Sequence, residues 1–329
     1  PRAVEVIGES EFSAASRISG VRKAIPGVIG RVLASALEQA WLDREGRRLG
    51  RPVHALLGGA YRDLVPCYAN INRGTLSRTP EEFAERAALA ISDGYGAVKL
   101  APFDGVTPDA TDEAQREAAI AAGFERIAAV VKRLDGTGTV QVDCHSRFRA
   151  AEAGDILDRI AAAGVVWFEE PLAETSDARK AIARLRQQAQ DHGLRLAGAE
   201  KCADTHDFLP FITGRCYDVI MPDIVLAGGP GEVVRIGHLA AGFDCGVSLH
   251  NPCGPVMDMH SVHAAAAVPV LYSLERQFRE TPLYDDIIVE RAHQLRAGAI
   301  ELSDAAGLGL DVAWEHAAMR QQASFDIDL

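Results

Sequence analysis

An eight-stranded parallel barrel wrapped in helices, an α/β fold, is what this sequence predicts. Three observations carry that reading. From Val65 to Glu275 strand-like and helix-like stretches alternate with little interruption, the strand-like ones number eight, and they end repeatedly in carboxylates, imidazoles or amines. Such alternation argues for a parallel sheet. Eight strands close a barrel, and each then points its C-terminal end at one shared mouth, so residues distant in sequence converge there.

The elements follow in order. Residues 1–28 are weakly patterned. From Ile29 to Leu49 apolar residues recur at helical spacing, in the pairs Val32 and Leu33, Ala36 and Leu37, Ala40 and Trp41. Gly50 is the stop, and Gly46 is expected to weaken the last turn. RPVHALLGG, residues 51–59, links this helix to the first strand, VPCYANI at 65–71. Thr79, Pro80 and Glu81 open a helix to Asp93, before the strand AVKLA at 97–101. Glu113–Leu134 is helical and leads to VQVDC. Helix 150–163 then leads to VVWFEE, 176–192 to LRLAGAE, 205–213 to YDVIMPD, 230–241 to CGVSLH, and 255–266 to VLYSLE. From Thr281 the chain holds one helix-like piece and the turn-rich AAGLGLDVAWE, expected to pack on the N-terminal helix as a smaller unit. The division expected is thus 1–60, 61–280 and 281–329.

Composition narrows the function. Of 329 residues, 48% are hydrophobic and 24% charged, a profile with enough apolar mass for a large core. The net charge of -12 argues against nucleic acid or an anionic membrane as partner, because both need a basic face. No apolar run approaches the roughly 18 to 20 residues that span a bilayer. PRAVEVIGES lacks the basic-then-apolar pattern of a signal peptide, so a cytoplasmic protein is expected. Pro rather than Met stands first, so a preceding N-terminal piece is expected to be missing. The six cysteines show no CxxC spacing and read as reduced core residues.

The polar strand ends are Lys99, Asp143 with His145, Glu169, Glu200 with Lys201, Asp223, His250 and Glu275. Asp143, Glu169 and Glu200 come from three consecutive strands and would repel one another if unpaired. A divalent cation removes that repulsion, and an all-oxygen set favours Mg²⁺ over Zn²⁺. Alternation chooses only weakly between Glu169 and Glu170. Asp223 and His250 end neighbouring strands, where a carboxylate on one imidazole nitrogen fixes the tautomer and raises the basicity of the other. LAGGPGE, 226–232, has the look of a phosphate-binding helix start but reads better as a helix-entry turn. A zinc set of Cys245, His250 and Cys253 fits no common spacing, and His260 with His263 reads as packing or surface.

The ordered series VKLA, VDCHSRF, WFEEP, AGAEK, MPDIVLAGG, SLHNPCGP and SLERQF resembles the enolase superfamily, in its mandelate racemase and muconate lactonizing enzyme group. ALEQAWLDREGRRLGRPVHALLGG is similar to the segment leading into that family's barrel, and GLGLDVAWE to its returning C-terminal segment. The resemblance implies a (β/α)7β barrel with a smaller α+β capping domain, its N-terminal part truncated and completed by the C-terminal segment. It implies Mg²⁺ on Asp143, Glu169 and Glu200, a His250–Asp223 base dyad, a protonated Glu275 hydrogen-bonding an enolate oxygen, and removal of a proton next to a carboxylate. Where racemases of this group carry Lys-x-Lys, this chain has Lys99, Leu100 and Ala101, so a second lysine is absent. His145 lies instead two residues after Asp143 on the same inward face. This arrangement resembles galactonate-type dehydratases and implies loss of the 3-hydroxyl of a sugar acid, with His145 as the acid, to give a 2-keto-3-deoxy acid. Arg147, Lys99 and Lys201 are candidate contacts for the small anionic substrate, and a homo-oligomer is expected.

Overall fold

The structure, a computed structural model, describes residues 18, 20–291, 293–313 and 315. The eight expected strands form a closed parallel barrel: β1 (Leu64–Asn70), β2 (Ala97–Leu100), β3 (Thr139–Asp143), β4 (Trp167–Glu169), β5 (Arg195–Gly198), β6 (Val219–Ile220), β7 (Gly246–Leu249) and β8 (Leu271–Gln277). Each pairs in parallel with the next, and β1 pairs with β8, Cys67 opposite Leu274 and Asn70 opposite Gln277, to close the ring. Outside it lie α1 (Val28–Leu49), α2 (Val53–Leu56), α3 (Pro80–Ser92), α4 (Glu113–Leu134), α5 (Ala153–Ala162), α6 (Arg179–Asp191), α7 (Thr205–Thr213), α8 (Pro230–Ala241) and α9 (Pro255–Ala267).

Local chemistry sets these boundaries. The Thr79 side chain accepts from the Glu82 amide, Asp112 from that of Gln115, and Asp204 from those of His206 and Asp207, so α3, α4 and α7 each begin on a short polar cap. Within the strands, alternation sorts the side chains. Val98, Leu100, Val140, Val142, Phe168 and Leu196 join the core between barrel and helices. Trp167, Ala197, Val219 and Met221 form a separate cluster inside the ring, where the Trp167 ring lies against Tyr68 and Tyr272, at centroid distances of 6.4 and 5.4 Å. That plug fills the barrel below the mouth.

The C-terminal segment departs from the sequence expectation of one helix-like piece followed by turns. The helical part is short, α10 (Leu283–Asp286), and β9 (Ile288–Arg291), β10 (Gln294–Arg296), β11 (Ala299–Glu301) and β12 (Leu310–Val312) follow it. Strands of three or four residues are too short to show periodicity. The turn is the legible part: Ala297 and Gly298 both have positive φ, 47° and 78°, as a two-residue hairpin loop between β10 and β11 requires. β11 pairs antiparallel with the start of β1, and β12 with β9.

Gly46 has a role other than weakening its helix. A Cβ there would lie 2.8 Å from the Gly307 Cα and from the Arg51 carbonyl oxygen, so the glycine lets the C-terminal segment approach α1. Arg47 fixes the same contact through Asp311 and the Leu310 carbonyl. Among the described residues no helix is long and apolar enough to cross a membrane.

His260 and His263 are core residues of α9 rather than surface ones. His263 Nδ1 lies 3.1 Å from His54 Nδ1 of α2, and its Nε2 lies 3.2 Å from the Leu308 carbonyl oxygen. Burial lowers the His260 pKa to about 3 and pushes that of His263 well below its ordinary value. Both are therefore neutral when folded, whereas the unfolded chain takes up their protons below about pH 6.5. Stability is lost as pH falls through that window, by about 1.4 kcal/mol per pH unit for a histidine such as His260. His260→Leu should flatten the acid limb of urea-unfolding free energy between about pH 6 and 4 by that slope. An unchanged limb would mean that His260 is not held neutral.

Candidate active site

The polar strand ends meet at the C-terminal mouth. Asp143 sits opposite Glu169 in the β3–β4 register, and Glu200 lies two residues past β5. One carboxylate oxygen from each of these three lies within 4.8 Å of the others, and all three residues are buried. Glu170 points the other way, to Ser146 and Lys201, so the alternation that began with Phe168 outward places Glu169 alone of the pair in the trio.

Two buried groups orient Glu169. Lys99 Nζ donates to Oε1 at 2.7 Å, and the Trp167 indole N–H donates to Oε2 at 2.7 Å. Lys99 also lies 3.5 Å from Glu275 and 3.9 Å from Asp143. Burial and the neighbouring acids raise Glu169 well above the usual carboxylate range despite Lys99, and raise Glu200 despite His250. For Asp143, burial acts the same way but is outweighed by His145 and Lys99, and its pKa is lowered. One enclosed lysine thus faces more negative charge than it can balance. An all-oxygen donor set within bonding reach of one point and short of positive charge fits a divalent cation.

A histidine stands at each end of the trio. Asp223 Oδ1 accepts from the Val225 and Leu226 amides at 2.6 and 3.1 Å, which fixes the carboxylate, and its Oδ2 lies 2.9 Å from His250 Nδ1. His250 Nε2 is left facing Glu200 at 3.4 Å. Burial opposes charge on this imidazole, but Asp223, Glu200 and Glu275 outweigh it and hold its pKa up at about 9. On the far wall, His145 Nε2 lies 2.9 Å from Asp143 Oδ2, and its amide donates to Oδ1 at 3.0 Å. The bond to Asp143 raises the His145 pKa against the effect of burial. His145 and Ser146 both have positive φ, 47° and 59°, a left-handed turn that carries the chain off the strand.

Glu275 differs from the protonated acid expected. Burial favours protonation, but Lys99, His250 and the Asn70 amide group outweigh it and lower the pKa, so the carboxylate is ionised. Gln277 Nε2 also donates to it, at 3.2 Å. Asn70, Gln277 and Trp167 were not singled out from sequence. Each had a usable signal: Trp167 and Gln277 stand two residues from Glu169 and Glu275 on the same strand faces, and Asn70 is the polar end of β1.

The three candidate substrate cations all have protein partners. Lys99 is 1% exposed beneath the carboxylates. Lys201 Nζ lies 2.5 Å from Glu170. Arg147 Nη1 donates to the Asp104 and Val106 carbonyls at 2.9 Å each, pinning the loop after β2. The zinc set is not assembled: Cys245 Sγ lies against the Tyr217, Asp218 and Gly246 carbonyls while His250 holds Asp223. At the Gly229–Gly231 helix start, the half-buried Glu38 carboxyl takes the position an anion would need.

Known proteins resemble this chain in sequence and in fold. The chain is 31% identical to D-gluconate dehydratase of Thermoproteus tenax over 278 residues, covering 84% of this chain and 54% of that protein. It is 28% identical to D-xylonate dehydratase of Haloferax volcanii over 289 residues, covering 86% and 68%. It therefore spans about half the length of the first relative and two thirds of the second. The crystal structure of a mandelate racemase/muconate lactonizing enzyme from a Sulfitobacter species superposes with a TM-score of 0.82 at 23% identity, over 100% of this chain and 84% of that one. Residues 82–317, which hold all the strand ends of the mouth from Lys99 to Glu275, match the enolase C-terminal domain-like family, and the chain belongs to that family.

Proposed function

We propose that this chain is a Mg²⁺-dependent sugar-acid dehydratase that removes the proton next to the carboxylate of an aldonic or aldaric acid and expels the 3-hydroxyl as water. One observation carries the reading: two imidazoles flank the carboxylate trio from opposite walls. His145 follows β3 and His250 follows β7, four strands apart in a ring of eight, with Asp143 and Glu200 between them. The D-gluconate and D-xylonate dehydratases support the substrate class by their named reactions.

Asp143, Glu169 and Glu200 would hold the ion, which would supply positive charge toward the substrate carboxylate as negative charge develops there. The protein's own groups do the proton chemistry. His250 Nε2, oriented by the Asp223 bond at Nδ1, accepts the α-proton as the α C–H bond breaks; its raised pKa belongs to the protein without a cation, and the charge of an ion held by Glu200 would favour the neutral imidazole that this step needs. His145 Nε2, whose pKa the bond to Asp143 raises, gives its proton to the 3-oxygen as the C3–O bond breaks, and water leaves. The resulting enol takes a proton at C3 and becomes the 2-keto-3-deoxy acid. Lys99, enclosed against Glu169, balances the carboxylates, and Glu275 reaches the region through Oε2, near the Asn251 amide at 3.4 Å. Ala101, buried where a second lysine would stand, offers no base for a racemase.

The test is incubation with a panel of aldonic and aldaric acids, with detection of the 2-keto-3-deoxy product. Product is expected with Mg²⁺ and none after EDTA; product that survives EDTA would contradict the metal-assisted route and favour two carboxylates acting alone.

A further inference from the structure

Behind the carboxylate trio, on the helix side of the barrel wall, lies a second polar constellation built on a buried carboxylate. Its centre is Glu170, 1% exposed and one residue past Glu169. Glu170 Oε1 accepts from the Ser146 hydroxyl and lies 2.5 Å from Lys201 Nζ. Ser146 follows Asp143 by three residues, and Lys201 follows Glu200 by one. A single carboxylate therefore joins the chain just beyond the ends of β3, β4 and β5, the three strands that deliver the trio.

The backbone at these places is strained and fixed. His145, Ser146, Glu170 and Ala199 have φ of 47°, 59°, 39° and 72°, a left-handed region that costs of order 1–3 kcal/mol at a non-glycine residue. Such conformations persist only where their surroundings hold them. Here the Ser146 amide donates to the Glu170 carbonyl at 2.7 Å, the Glu170 amide to the Ala197 carbonyl at 3.0 Å, and the Ala199 amide to Glu174 Oε1, which the Tyr217 hydroxyl also reaches at 2.7 Å. Lys201 and Glu170 also line a cavity of about 560 Å³ with Glu174, Arg179 and His206. Glu170 Oε2 is buried with no partner among the described groups, so the residue is held through one oxygen only.

We propose that Glu170, clamped by Ser146 and Lys201, is a positioning residue that sets the spacing of the Asp143, Glu169 and Glu200 carboxylates and hence their affinity for a divalent cation. The proposal rests on the reading of those three as the metal-holding set. Loss of the clamp lets three strand ends relax independently, and a multidentate site loses affinity when its donors no longer converge. Outer-shell partners of metal ligands typically contribute about 10- to 100-fold in affinity.

The experiment is titration of the metal-free protein with Mn²⁺, followed by electron paramagnetic resonance of the free ion, alongside thermal unfolding in EDTA. Glu170→Ala should weaken binding by about 10- to 100-fold. Glu170→Gln, which keeps an acceptor oxygen toward Ser146 and Lys201, should recover most of that loss. Lys201→Ala alters an exposed side chain and keeps the test alive if Glu170→Ala does not fold; it should weaken binding in the same direction. Wild-type Mn²⁺ affinity in Lys201→Ala and in folded Glu170→Ala, with only the unfolding temperature changed, would overturn the proposal and leave the metal site standing. Failure of the unaltered protein to bind Mn²⁺ at all would overturn the metal reading, and this proposal with it.

Discussion

His250→Asn should lower kcat by about 10²- to 10⁴-fold, the range that a positioned general base contributes. The asparagine keeps a polar group beside Asp223, whose carboxylate is already fixed by the Val225 and Leu226 amides, so the wall around it should hold. What disappears is the nitrogen that faces Glu200 and the mouth. Metal affinity should change far less than kcat, because His250 is not one of the three clustered acids. Solvent exchange of the α-proton should fall in parallel with product formation, since both need the same proton removed. Exchange at the unaltered rate in His250→Asn would assign the base elsewhere.

Glu200→Gln has the second large effect, and it should act in opposite directions on function and stability. Burial and the nearby acids raise the Glu200 pKa despite His250, so its charge is held at a cost in the metal-free protein. Neutralising it should raise the unfolding temperature in EDTA. The same change removes one of three anionic donors, so Mg²⁺ affinity should fall by more than the roughly 100-fold that an outer-shell loss can cost. Calorimetric titration with Mg²⁺ and thermal unfolding in EDTA check the two halves separately. A variant less stable without metal, or one that binds Mg²⁺ as before, would remove Glu200 from the set.

Much of this was legible before the structure because the chemistry sits at places that periodicity marks. Each strand of the barrel is an apolar run, and the first polar residue after it marks the mouth, so Asp143, Glu169, Asp223, His250 and Glu275 could be found by asking where each run stops. Partners were not legible. Lys99, Arg147 and Lys201 are all cations at or after strand ends, yet one lies beneath the acids, one caps loop carbonyls and one pairs with Glu170 behind the wall. Those outcomes depend on which neighbouring strand supplies an acceptor, information that one strand's sequence does not hold. Glu275 shows the same limit: its pKa is lowered by Lys99 of β2, His250 just past β7 and Asn70 of β1. The C-terminal strands escaped for a different reason. At three or four residues they carry too few side chains to alternate, and their pairing with β1 and with one another is a tertiary fact.

The division of labour between the two histidines is the central claim, and His145→Asn tests it most directly. The variant is incubated with Mg²⁺ and an accepted sugar acid in D₂O, and the α-position and the keto product are followed together by proton NMR. The account predicts that deuterium enters the α-position while no 2-keto-3-deoxy acid forms, because His250 still removes the proton and nothing protonates the departing hydroxyl. Loss of exchange and product together, or dehydration at the unaltered rate, would contradict it.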